Sequence, residues 1–248
     1  MAFRIFIHAF RMVFGNFGAA LRISTPMIVM SLLGAFILMP DETSSTGTPA
    51  EQFSNFFTGP LLMWLLAYLV ATLWVAVAWH RYCLREEYPG AIVPAFHLDR
   101  ILGYFGWSIL IMLVAILVSL VAGTIIGGLA AITQSAALAG LLWFGWFGVL
   151  LWFIQRLSLV LPASAINEGK SLRQSWEATR PISGTILAVA LMFALFSALV
   201  GQAALPLFGV SLVLGGVING IAQWISTMLG LSILTTIYGI CIEGRTIE

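Results

Sequence analysis

Six stretches of the chain run for 18 to 24 residues without a charge, at 23–40, 60–79, 101–123, 138–155, 182–205 and 220–242. About twenty apolar residues in helical form cross a hydrocarbon core of roughly 30 Å. None of the six shows the alternation of polar and apolar positions that a barrel strand needs, and backbone groups in lipid must pair within their own segment. The pattern predicts an all-α fold: a single integral membrane domain over 1–248, a polytopic transmembrane bundle of six helical spans.

Two apolar connections complicate that count. After Ala122 the run GTIIGGLAAIT prolongs the third span to 33 residues, about 50 Å as one helix, which is more than tilt absorbs. A break near Gly127 and Gly128 is expected there. The run LFGVSLVLGGVIN at 207–219 is thirteen residues long, too short to cross. It reads as re-entrant, as interfacial, or as an extension of the neighbouring helices.

Composition agrees with a membrane protein and excludes a water-soluble domain: 60% of residues are hydrophobic, 8% are charged, and the mean hydropathy is +1.03. The placement of the charges orients the spans. Arg4, Arg11 and Arg22 precede the first; Arg81, Arg85 and Arg100 lie between the second and third; Arg156, Lys170, Arg173 and Arg180 lie between the fourth and fifth; Arg245 follows the sixth. The opposite connections, 41–59, 133–137 and 206–219, carry only Asp41, Glu42 and Glu51. By the positive-inside rule both termini are cytoplasmic, which predicts a multi-pass protein of the bacterial inner membrane.

Two basic segments have helical amphipathicity. In KSLRQSWEATR, Lys170, Arg173, Glu177 and Arg180 fall on one stripe and Leu172, Trp176 and Thr179 on another. In the N-terminal segment Arg4, His8 and Arg11 oppose Phe6, Phe10, Val13 and Phe17, and polar interruptions set it apart from a secretory leader. Both are expected to be interfacial helices on the inner face. RMVFGNFGAAL, RILGYFGWSIL and TRPISGTILAV each lead into a pair of spans, which suggests three repeats at 1–80, 90–156 and 168–242.

No Asp, Glu, Lys or Arg falls near the middle of a span, so the usual mark of a proton relay or ion path is missing. The amides and hydroxyls in or beside spans, Gln155, Gln202, Asn219, Gln223, Ser226 and Thr227, are expected to bond between helices. At the inner face, WHRYCLREEYPGAIVPAFHLDR spaces His80, Cys83 and Glu87 at i, i+3 and i+7, with His97 and Asp99 brought near by chain return. These types can serve acid–base or metal chemistry, but no established ligand motif is present, and a solvated, ion-paired helix end accounts for the segment. No catalytic residue, metal ligand or cofactor is assigned. Cys83 and Cys241 both lie on the reducing side and are expected to stay unpaired.

The run RLSLVLPASAINEGKSLRQSWEATR resembles bacterial membrane proteins related to the membrane domain of glycerophosphodiester phosphodiesterases and the YciC-like proteins. The matching positions are Pro162, Glu168, Ser171, Ser175, Trp176, Thr179 and Arg180. The resemblance implies a six-span fold more than an activity, and no segment is large enough to hold the phosphodiesterase domain. His80, Glu87, His97, Glu168, Trp176 and Arg180 are therefore the candidate functional cluster at the inner face. The expected function is non-enzymatic: organising the membrane, or binding lipid or a partner. A transporter of a neutral or apolar solute, and an enzyme built on His80, Glu87 and His97, remain as alternatives. The expected partners are the bilayer, anionic lipids at the basic segments, and a protein partner or second copy; nucleic acid is not among them.

Overall fold

The computed structural model describes residues 1–37 and 59–247. Asp41, Glu42 and Glu51 of the outer connection lie outside the described residues. The chain forms α1 (Ala2–Gly15), α2 (Phe17–Ile37), α3 (Gly59–Arg85), α4 (Leu98–Thr133), α5 (Ala136–Leu157), α6 (Val160–Ala165), α7 (Leu172–Ala178), α8 (Ser183–Val210) and α9 (Leu212–Cys241). Six of these segments are long and apolar enough to cross a membrane, and the described residues contain no strand.

The spanning helices pack in a ring. α3 lies against α4, α4 against α5, α5 against α8, α8 against α9, and α9 closes on α3; α2 packs outside, on α3 and α9. The short helix α6 sits at the basic end against α3, α4 and α9, and α1 crosses α8 and α9. Fully buried side chains gather at that end: Ile5 of α1 with Leu159, Ile186, Ile233, Ile237 and Tyr238, and Trp79 with Val13, Ile23 and Met228. Towards the far end the helices show their side chains outward, with Leu117, Val121, Ile132, Leu141 and Phe144 all exposed. Such a surface suits lipid, in which apolar groups need no cover.

Indole N–H groups tie the ring together. Trp79 Nε1 donates to Ser232 Oγ at 2.9 Å and Trp224 Nε1 to Ser24 Oγ at 2.7 Å. Each serine passes its own hydrogen back to the carbonyl four residues earlier, Met228 O and Ala20 O. The hydroxyl oxygen is thus left to accept from the next helix.

The expected break in the third span is absent. α4 runs unbroken for 36 residues and stops at Gln134, whose φ of 51° is left-handed and whose N–H bonds to Ala130 O. Two glycines cost a helix about 1 kcal/mol each, less than leaving backbone groups unpaired in an apolar medium. The 206–219 segment likewise resolves as helix extension. α8 continues through Pro206 to Val210, Ser211 alone makes the turn, and its hydroxyl caps α9 at Leu214 N.

The amphipathic segments are helical at α1 and α7, but their apolar faces pack on protein. α1 buries Ile5, Ala9 and Val13, with Phe6 and Phe10 half-buried behind them, while Phe17 belongs to α2 and is exposed. α7 spans only Leu172–Ala178, opened by a capping box between Ser171 and Gln174.

The tight hairpin gives a direct test. A Cβ on Gly215 would lie 2.6 Å from Phe208 Cγ and 2.8 Å from Phe208 Cα, whereas one on Gly216 meets nothing within 4 Å. Gly215→Ala should lower stability by about 1–3 kcal/mol, and Gly216→Ala should leave it unchanged or raise it by up to about 1 kcal/mol, measured by unfolding in detergent micelles.

Candidate functional site

α3 ends earlier than the spacing of His80, Cys83 and Glu87 suggested. Its last helical residue is Arg85, and Glu86 takes a left-handed φ of 53° that turns the chain back. Glu87 therefore leaves the helix face. The proposed grouping of the three is replaced by two separate arrangements.

His80 is completely buried among α3, α4 and α9. Its Nδ1 lies 2.8 Å from Thr235 Oγ1, and its Nε2 lies 3.4 Å from the Tyr104 hydroxyl. The Thr235 hydroxyl donates its hydrogen to Leu231 O, so its oxygen can only accept. That places the imidazole proton on Nδ1 and leaves Nε2 as an acceptor facing Tyr104. The arrangement repeats the Trp79–Ser232 and Trp224–Ser24 pattern and accounts for His80 as a cross-helix tie.

Glu87 forms the second arrangement at the surface. Arg81 Nε donates to Glu87 Oε2 at 2.7 Å, and His97 Nε2 lies 2.7 Å from Glu87 Oε1. Chain return does bring His97 to Glu87, as expected. Burial alone would raise the Glu87 carboxyl, but hydrogen bonds from Arg81 and His97, together with their charges, outweigh it and hold the group below its ordinary value. The chain between them climbs beside α3: Trp74 Nε1 donates to Ala95 O at 3.0 Å and the Trp74 ring meets Phe96 edge-on. Tyr88, Ile92, Val93 and Phe96 stand exposed along this connection.

Glu168 closes the turn after α6. Asn167 adopts a left-handed φ of 66°, and Glu168 N–H bonds to Ala163 O at 2.8 Å, a glycine-free Schellman-type ending. The Glu168 carboxylate accepts from the Tyr238 hydroxyl at 2.6 Å and pairs with Arg85 at 3.7 Å. Arg81 Nη1 donates to Ala165 O and Arg85 Nη2 to Ile166 O, so two arginines of α3 cap the final carbonyls of α6. Arg245 does the same for α3, reaching Cys83 O and Leu84 O. Arg100 meets Asp99 and Asn167, and Arg4 reaches Ile247 O.

Trp176 packs inward from α7. Its ring lies 3.5 Å from the guanidinium carbon of Arg156, a residue buried at the end of α5, with Trp152 on another side at 5.0 Å. Ser175 Oγ donates to Arg156 O at 2.6 Å, while Arg156 donates to Thr179 Oγ1 and Trp176 O. Arg180 follows and is exposed.

The six candidate residues thus do not gather in one place. Glu87 is ion-paired with Arg81 and bonded to His97, Glu168 is ion-paired with Arg85, His80 is internal, Trp176 packs on Arg156, and Arg180 stands exposed after α7. Among the described residues no three His, Cys, Asp or Glu side chains gather as metal ligands would, and Cys83 and Cys241 are free thiols. Arg156, Tyr104, Thr235 and Tyr238 were missed by sequence reasoning. Arg156 carried a signal in its place at a span end, but span ends hold arginines for topology alone. Gln155, expected to bond between helices, has its Oε1 buried without a partner.

Two cavities open on the surface. One of about 340 Å³ lies at the basic end, lined by Asn16, Phe17, Arg22, Tyr82 and Tyr88. The other, about 520 Å³, is a groove between α4 and α5 lined by Ile111, Ala115, Leu150 and Ile154 with Ser108 and Ser158.

Comparison with protein families, curated proteins and solved structures found no match.

Because the folded Glu87 value is lowered, its contribution to stability is present above the ordinary 4.5 and is lost as pH falls through the folded value. Thermal unfolding from about pH 6 to about pH 3 should therefore decline more steeply for the native chain than for Glu87→Gln. Equal slopes would refute the Glu87 assignment.

Proposed function

We propose that this chain is a non-enzymatic protein of a bacterial inner membrane, with both termini cytoplasmic, that binds anionic lipid and organises the membrane at its basic face. One observation carries the reading. The cations of the basic end fall into two sets: Arg4, Arg81, Arg85, Arg100, Arg156, Arg173 and Arg245 are taken up by carbonyl, amide, hydroxyl or carboxylate groups of the fold, whereas Arg11, Arg22, Lys170 and Arg180 make no side-chain hydrogen bond or ion pair among the described residues. Exposed Phe3 and Phe14 share α1 with Arg11, and exposed Tyr88 lines one cavity with Arg22. Cations mixed with exposed aromatic groups suit the headgroup layer of an anionic leaflet.

The resemblance to the YciC-like proteins fits a membrane role without a hydrolytic one. Transport of a neutral or apolar solute is a second reading, favoured by the α4–α5 groove. Proteoliposomes that pass no such solute would remove it.

Each cation near an anionic surface contributes about 1 kcal/mol. Native mass spectrometry of protein released from mixed vesicles should show phosphatidylglycerol retained over phosphatidylcholine. The combined Arg11→Gln, Arg22→Gln and Lys170→Gln variant should lose at least tenfold of that preference. Equal retention of the two lipids by the native chain would defeat the reading.

A further inference from the structure

We infer that Arg156 and Arg180 form a phosphate site for the headgroup of one anionic phospholipid, at the junction of α5, α7 and α8. This deepens the lipid-binding reading and rests on it. Arg156 is 4% exposed, yet among the described residues no carboxylate lies within 4 Å of it. Its Nε donates to Thr179 Oγ1 at 3.0 Å and its Nη2 to Trp176 O at 2.7 Å, while Nη1 has no protein acceptor among the described residues. Arg180 follows Thr179, the residue that accepts from Arg156 Nε, and its side chain is exposed.

A guanidinium withdrawn from water with no carboxylate beside it opposes folding unless an anion joins it. The carbonyl of Trp176 and the π faces of Trp152 and Trp176 orient Arg156 and shield its planar sides. They offer partial charges and no full countercharge. A phosphate oxygen pair matches the fork of a guanidinium, and basic pockets between membrane helices take phospholipid headgroups at this depth. Trp152 Nε1 donates to Ser183 O, which fixes one wall on the first turn of α8, and Thr179 leads directly into Arg180. Arg156 and the two indoles that flank it are thus held on rigid elements, with Arg180 beginning the turn into α8.

The test uses delipidated full-length protein in detergent, titrated with phosphatidylglycerol, phosphatidylcholine or inorganic phosphate and read by native mass spectrometry. The native chain should hold one phosphatidylglycerol more tightly than further copies. Arg180→Gln should weaken that molecule at least tenfold, and Arg100→Gln, at a guanidinium already paired with Asp99, should leave it in place. Arg156→Lys keeps the charge but loses the stacked fork, and should weaken it as well, with helicity by circular dichroism confirming the fold. Retention by Arg180→Gln equal to that of the native chain overturns the site while leaving the broader lipid-binding reading intact. Loss of any preference for phosphatidylglycerol over phosphatidylcholine in the native chain overturns both. Binding of inorganic phosphate without phosphatidylglycerol overturns the assignment to lipid, and competition between the two supports a shared phosphate site.

Discussion

The last four carbonyls of every helix lack a partner in their own backbone, and near a membrane, water is a poor substitute. This chain answers that constraint with arginine. Arg81 and Arg85 end α6, Arg156 meets Trp176 O in α7, and Arg245 ends α3. Asn16 completes the series by donating to Met12 O in α1 while accepting from the Tyr82 hydroxyl. The short elements α6 and α7 are held in place by these bonds, since six or seven residues of helix are unstable alone. The same arginines are the ones whose placement along the sequence predicts an orientation by the positive-inside rule.

The six spans and the two amphipathic helices were legible because each rests on a composition or period that tertiary contacts do not alter. The continuity of α4 was not. A pair of glycines looks like a hinge in water, but in lipid the alternative to helix is an unpaired backbone. The candidate site was legible only in part. Glu87 and His97 meet as chain return suggested, whereas the positive φ at Glu86 removes Glu87 from the face shared by His80 and Cys83. A left-handed glutamate carries no glycine or proline signal that sequence alone could announce. The role of Arg156 was hidden for another reason: its partners, Trp176 and Thr179, belong to a segment whose apolar stripe could have faced either lipid or protein.

Packing is uneven along the bundle. Large buried side chains and cross-helix hydrogen bonds concentrate at the basic end, where His80, Trp79 and Tyr238 each join neighbouring elements. The far ends of α4 and α5 present exposed leucine, isoleucine and phenylalanine instead. Helices gain little from hiding apolar groups from lipid, so order in this fold follows the polar ties.

The single-residue turn at Ser211 makes α8 and α9 an uninterrupted hairpin of 28 and 30 residues, about 42 and 45 Å tall. Even at a steep tilt of about 40° the longer arm projects to about 34 Å, beyond the hydrocarbon thickness of an average bilayer. No charge occurs in either helix to end the apolar surface sooner. Yet Met228, Leu229 and the run from Ser232 to Gly239 in α9 are buried in protein, so the height beyond a bilayer is sheathed at the basic end by α1, α3 and α6 and needs no lipid to cover it.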